Sequence, residues 1–190
     1  MPIRHTLPEL KLQAAPPRWA PDLHARASAV LALFMRDPQH GLSILFTRRA
    51  SEMRSHAGQV GFPGGRRENE DVSPSETALR ETFEEIGLKP TDVEIIGMLP
   101  PLKSIDTRPV LTMVGYTDKL LTDLVPNPSE VAEIFLVPWT LLTAEERTVV
   151  RFNIFGRWRE TPFYEAQGHH IWGLTAWMLD FLALPSGKVS

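Results

Sequence analysis

Apolar, partly β-branched runs recur along the chain with turn chemistry between them. Residues 29–35 form the first run, Asp37-Pro38-Gln39-His40-Gly41 supplies a turn, and residues 42–47 form the second, which predicts strand, turn and strand. Val60 and Phe62 stand among three glycines in residues 59–65, which predicts a short strand running into a tight loop where backbone approaches something closely. Further strands are expected over residues 93–99, 110–116, 131–137 and 149–154, separated by segments bearing proline, glycine or aspartate. Near the end, Ile171, Leu174, Met178 and Phe181 or Leu182 recur at helical spacing and Pro185 stops them, so an amphipathic closing helix is expected over residues 171–184. Residues 1–28 are rich in proline and read as an N-terminal arm laid over a domain of residues 29–184, with residues 185–190 as a C-terminal tail. Strands outnumber helices and the two interleave without strict alternation, so the expected fold class is α/β with a mixed β-sheet covered by helices.

Both ends of one central helix are written in the sequence. Ser73 suits the N-cap, Pro74 the first helical position, Glu76 completes a capping box, and Gly87 marks the stop. At about 100° per residue, Glu84, Glu81 and Glu85 fall within an arc of about 100°, while Leu79, Phe83 and Ile86 cluster opposite as the expected core face. Like charges one turn apart, as at Glu81 and Glu85, cost a helix roughly 0.2–0.5 kcal/mol. A hard divalent cation such as Mg²⁺, which accepts carboxylate and water oxygens, would offset that cost, and Arg80 can pair with Glu84. In an arbitrary Glu-rich helix these side chains are a solvated face. The upstream loop Phe62-Pro63-Gly64-Gly65 changes the reading, because bare backbone suits a bound anion and its carbonyls suit a further metal ligand.

Composition narrows the choices further. A chain of 190 residues with 43% apolar and 23% charged residues matches one globular domain. A net charge of −3 provides no broad basic field for nucleic acid, so an anionic substrate must be met locally. Cysteine is absent, which excludes disulfides and thiolate ligands and leaves oxygen or imidazole for any metal. No apolar run approaches the roughly 20 residues of a membrane span, and the proline-broken N-terminus does not read as a secretion signal, so a cytoplasmic protein is expected.

Loop and helix together resemble the signature of the Nudix hydrolases, G-x5-E-x7-R-E-U-x-E-E-x-G-U with U apolar. Gly65, Arg80, Glu81, Glu84, Glu85, Gly87 and Leu88 fall in that order, with one extra residue before Arg80, Asp71 at the first acidic position, and Thr82 at an apolar one. The extra residue is similar to the branch that cleaves coenzyme A, whose upstream motif is approximately L-L-T-x-R-S/A-x3-R-x3-G-x3-F-P-G-G. Leu45, Thr47, Arg49, Ala50, Arg54, Gly58 and Phe62 to Gly65 reproduce it, with Phe46 in place of a leucine. Weaker echoes lie at residues 127–133 and 171–176.

The resemblance implies a Nudix-type α/β/α sandwich and a pyrophosphohydrolase. It implies that Glu81 and Glu85 hold Mg²⁺ or Mn²⁺ with help from the Gly65 carbonyl, and that Glu84 completes a second site or orients metal-bound water. Glu130, with Glu133 as the alternative, is the candidate general base. Arg49, Arg54 and Gly64 are the expected substrate contacts, since an arginine fork reads phosphate well, while Arg48, Arg66 and Arg67 are expected to be solvated. The implied partner is a small nucleotide, coenzyme A, cut to 4′-phosphopantetheine and adenosine 3′,5′-bisphosphate, with a homodimer left open and neither nucleic acid nor membrane as partner. Rival readings are a Nudix enzyme for ADP-ribose, dinucleotides or nucleoside triphosphates, and a non-catalytic nucleotide sensor. His56, His169 and His170 lack the H-E-x-x-H spacing of a zinc site. Trp158, Trp172 and Trp177 are expected in core packing, with adenine stacking as their alternative use.

Overall fold

The computed structural model describes residues 2–21, 27–51, 58–105, 107–143, 147–154 and 156–183. Arg54, His56 and the C-terminal tail lie outside these residues. In chain order the elements are β1 (Ser28–Asp37), β2 (Gly41–Arg49), β3 (Val60–Gly61), β4 (Gly64–Arg66), α1 (Pro74–Ile86), β5 (Glu94–Met98), β6 (Leu102–Lys103), β7 (Pro109–Tyr116), β8 (Val131–Pro138), α2 (Trp139–Thr143), β9 (Thr148–Ile154), β10 (Arg157–Ala166), β11 (His169–Trp172) and α3 (Gly173–Ala183).

The central strand β1 is apolar from Ala29 to Met35 because both of its faces are covered there. It runs parallel to β7, with Ala29 opposite Leu111 and Phe34 opposite Tyr116, and antiparallel to β2, which pairs in turn with β8. The mixed sheet is thus β5-β7-β1-β2-β8, with β3 and β4 attached beside β2 and β1. Leu31, Leu33, Met35, Leu45 and Met113 point to one side, where Ala78 and Ile86 bring α1 down on them. Ala32, Phe34, Phe46 and Phe135 point to the other, where Met178 and Leu179 of α3 close the core. The expected α/β/α layering with a mixed sheet is the observed one.

The N-terminal residues lie along this body. Gln13 and Met98 exchange two backbone hydrogen bonds of 2.9 Å at the edge of β5, Ile3 is buried, and the Trp19 indole donates to Thr77 Oγ1 at 3.3 Å beside the start of α1. Ser28 opens β1.

Two expectations need correction. The closing helix starts at Gly173, because Ile171 and Trp172 belong to β11, which pairs antiparallel with residues 163–166 of β10. Gln167 and Gly168 between them both take positive φ, 52° and 79°, as a two-residue hairpin turn of this hand requires. Strand β10 itself was not expected, since Pro162 and the charged residues of its outer half hide its alternation.

Candidate active site

Helix α1 begins and ends as its sequence dictates. Ser73 Oγ accepts from the Glu76 amide at 3.2 Å, the Glu76 carboxylate accepts from the Val72 amide at 2.7 Å, and Gly87 at φ 71° returns its amide to the Phe83 carbonyl. The buried face differs from the expected one. Phe83 is 47% exposed, whereas Ala78, Thr82, Glu85 and Ile86 are buried. At 100° per residue the core face is rotated by about 80° toward the carboxylates. Thr82 tolerates burial because its hydroxyl donates to the Ala78 carbonyl at 2.6 Å, and Glu85 tolerates it through the loop described next.

Gly64 and Gly65 sit in β4, opposite Val30 and Ala29 of β1 and directly against α1. The Gly64 amide donates to Glu85 Oε2 at 3.1 Å. A Cβ on Gly65 would stand 2.3–2.6 Å from the Glu81 carboxylate, so a glycine is what lets that carboxylate reach the loop backbone. Arg49, at the end of β2, brings Nη1 to 3.8 Å from Glu85 Oε1, and its Nε is buried without a hydrogen-bond partner. Glu130 is carried to the same place by the loop before β8. Asn127 donates its amide to the Glu85 carbonyl at 2.8 Å and its side-chain nitrogen to Glu130 Oε1 at 3.4 Å, and the Ala50 amide binds the Glu130 carbonyl at 2.9 Å.

The electrostatics follow from this crowding. Burial raises the Glu85 carboxyl to about 7, against the Gly64 amide and Arg49, which lower it, with the charges of Glu81 and Glu130 adding to the rise. Glu81 is raised as well, first by burial and then by Glu84 and Glu130, with Arg80 working the other way. Carboxylates crowded in this way, offering only oxygen ligands, fit a hard divalent cation. In the arrangement described, Glu84 is turned away to Arg80 at 3.1 Å, and among the described residues no three acidic or imidazole groups close on one point.

Arg80 is the hub of the helix's outer side. Its Nε and Nη2 donate to both Asp71 oxygens at 3.0 and 2.9 Å, Nη2 also reaches the Arg66 carbonyl at 2.9 Å and Glu81 at 3.1 Å, and Nη1 holds Glu84. Asp71 further accepts from the Glu68 amide and the Thr77 hydroxyl. Burial alone would raise the Asp71 carboxyl, but these bonds outweigh it and hold it below the usual carboxylate range. Its stabilisation is therefore present at neutral pH and lost as pH falls through that lowered value. Asp71→Ala is expected to cost about 2–3 kcal/mol, read as a lower urea midpoint at unchanged slope. A variant as stable as the wild type would mean that Glu68, 4.0 Å from Arg80, replaces it fully.

Other candidates fall elsewhere. Glu133 pairs with Arg48 at 2.9 Å and lies 3.6 Å from His169, whose ring stacks on Phe135, so Arg48 is engaged rather than freely solvated. Arg67 lies over the Trp19 ring and donates to the Asp71 carbonyl, while Arg66 is exposed as expected. Trp158 and Trp172 are 70% and 40% exposed and do not serve the core, because Trp158 lies on the outer half of β10 and Trp172 faces the side of β11 opposite the buried Ile171. The role of Asp71 was visible only as a departure from a motif, and its bond to Arg80 depends on a turn that spacing alone does not reveal.

A carboxylate-bearing helix packed on a glycine loop, within a mixed sheet closed by a second helix, defines the class of fold. The NUDIX domain model matches residues 25–156. The uncharacterized Nudix hydrolase NudL of Pectobacterium atrosepticum is 37% identical over 177 residues, covering 89% of this chain and 87% of that protein. NudL of Photorhabdus laumondii is 38% identical over 174 residues, covering 91% of each. Among solved structures, RenU, a Nudix hydrolase from M. smegmatis, shares the fold with a TM-score of 0.51 at 23% identity, over 60% of this chain and 71% of that one. The chain belongs to the Nudix family and is a hydrolase acting on phosphoanhydrides, a class that generally uses divalent metal ions. Among the described residues no helix is long and apolar enough to cross a membrane.

Proposed function

We propose that this Nudix hydrolase cleaves the pyrophosphate of coenzyme A, releasing 4′-phosphopantetheine and adenosine 3′,5′-bisphosphate. The observation that carries the reading is the position of Arg49. This arginine of the upstream motif lies on the same side of the sheet as the helix carboxylates, 3.8 Å from Glu85, with a buried nitrogen still to be satisfied. A phosphate oxygen would satisfy it.

In this reading Glu81 and Glu85, with the Gly65 carbonyl, would hold Mg²⁺ or Mn²⁺, and Glu84 would serve a second ion or its water. When bound, the ion neutralises charge on the phosphates and lowers the pKa of bound water. The Gly64 amide keeps Glu85 oriented toward the loop while leaving Oε1 free of it. Glu130, held by Asn127 beside Glu81 and Glu85, is the group best placed to take a proton from attacking water. Glu133 is supported less, because Arg48 already holds it.

The test is a turnover screen with Mg²⁺ or Mn²⁺ against coenzyme A, ADP-ribose, a nicotinamide dinucleotide and a nucleoside triphosphate, with products identified by mass. Coenzyme A is expected to be cut fastest, yielding the two named products. Unchanged coenzyme A beside rapid turnover of another nucleotide would remove the substrate assignment and leave family membership intact.

A further inference from the structure

Every open sheet has two edges, and an edge strand is a template for another strand unless something blunts it. Most edges of this protein are blunted. The N-terminal residues cover β5 through Gln13, β8 carries Glu133 and ends at Pro138, and β11 is only four residues long. Strand β9 differs. It forms the outer edge of the sheet β11-β10-β9, and among the described residues no strand pairs with its far side. It is seven residues long, reads Thr-Val-Val-Arg-Phe-Asn-Ile, contains no proline or lysine, and keeps an unbroken register with β10 from Thr148 to Ile154. Its one charge is already neutralised, since Arg151 Nη2 lies 2.6 Å from Glu160 Oε1.

Each face of this edge carries exposed apolar side chains beside its polar ones. On the face shared with α3, Val149 is 57% exposed and Trp158 is 70% exposed. On the opposite face Phe152 meets the half-exposed Trp172 edge-on at 6.0 Å. Apolar groups exposed at both ends of an open backbone edge give a strand added there side-chain contacts as well as hydrogen bonds.

We propose that two copies of this chain join through β9, antiparallel about a two-fold axis, to form one continuous six-stranded sheet. A strand paired antiparallel with its own copy is complementary to itself, and a two-fold contact closes without propagating. Because the axis stands perpendicular to the sheet, both copies present the Val149 and Trp158 face on the same side. The hairpin tip with Trp158 of one copy then overhangs the Val149 end of the other, at about two strand spacings, roughly 10 Å. At this register Arg151 stands opposite the same residue of the other copy, and the Glu160 carboxylate beside each guanidinium offsets the like charge.

The absence of cysteine allows a clean spectroscopic test. A nitroxide attached to Val149→Cys is expected to report one narrow distance between copies of about 20 Å or less. The same label on Val72→Cys, an exposed position beside α1, is expected to report a much longer one. Wild-type protein should sediment at twice the 21.4 kDa of the chain, and Val149→Lys with Phe152→Lys should weaken association by more than about 100-fold. A wild-type mass of one chain at about 100 μM, a long distance from the Val149 label, or undiminished association of the lysine variant would each overturn the proposal. So would a monomer whose β9 amides are protected from exchange, since another part of the same chain would then cover the edge.

Discussion

Glu85→Gln is expected to abolish turnover, by more than about 100-fold, while raising the melting temperature of the metal-free protein above neutral pH. The activity loss follows if Glu85 holds the ion, because removing even a group one step from a metal commonly costs 10–100-fold. The gain in stability has a separate origin. Glu85 is 4% exposed, and burial raises its carboxyl from 4.5 to about 7. Between those values the folded chain keeps a proton that the unfolded chain has released. Stability from this group is therefore full below pH 4.5 and lost as pH rises through about 7. A shift of that size corresponds to on the order of 3 kcal/mol. The amide of glutamine still accepts the Gly64 hydrogen bond but carries no charge to bury, so the loss is avoided. Scanning calorimetry in a chelator at pH 5 and pH 8 should show the variant's advantage growing with pH, to about 5–10 °C. Adding Mn²⁺ should stabilise the wild type and leave the variant unmoved. An advantage that shrinks with pH would mean that Glu85 is not the buried acid described, and full activity would remove it from the metal site.

That combination also explains why parts of the molecule could be read from its sequence and others could not. Strands β1, β2, β7 and β8 are buried over most of their length, so continuous apolar runs announce them without reference to partners. The caps of α1 are local, and Ser73, Pro74 and Gly87 act within a few residues of themselves. The core face of the same helix is not local. Hydropathy places Phe83 inward and Glu85 outward, yet Glu85 is buried where an amide more than twenty residues upstream donates a hydrogen bond to its carboxylate. Asp71 and Glu130 pose the same problem, since each acquires its place through a turn or a backbone bond that brings distant segments together. Strand β10 was hidden for a different reason. Its outer half, with Trp158, Arg159 and Glu160, stands in solvent and has no buried face to impose alternation.

The two loop glycines provide the sharpest contrast between folding and chemistry, because adjacent alanine substitutions are expected to fail in different ways. At Gly64 the backbone lies at φ 144°, and an added Cβ would meet the Ala29 carbonyl oxygen and Val30 Cα at 2.5 Å. Both obstacles are backbone of the central strand, which cannot yield without breaking the pairing of β4 with β1. Strain of about 1–3 kcal/mol from the conformation and a similar amount from the overlap together predict a loss of about 2–6 kcal/mol for Gly64→Ala. At Gly65 the obstacle is the Glu81 carboxylate, the far end of a flexible side chain. Gly65→Ala should therefore fold with a nearly unchanged urea midpoint and lose turnover, because the displaced carboxylate is one of those proposed to hold the ion. Measuring midpoint and turnover for both variants separates the two effects. If Gly65→Ala unfolded as readily as Gly64→Ala, the loop would be a structural turn first. If it kept full activity, Glu81 would have no part in the chemistry.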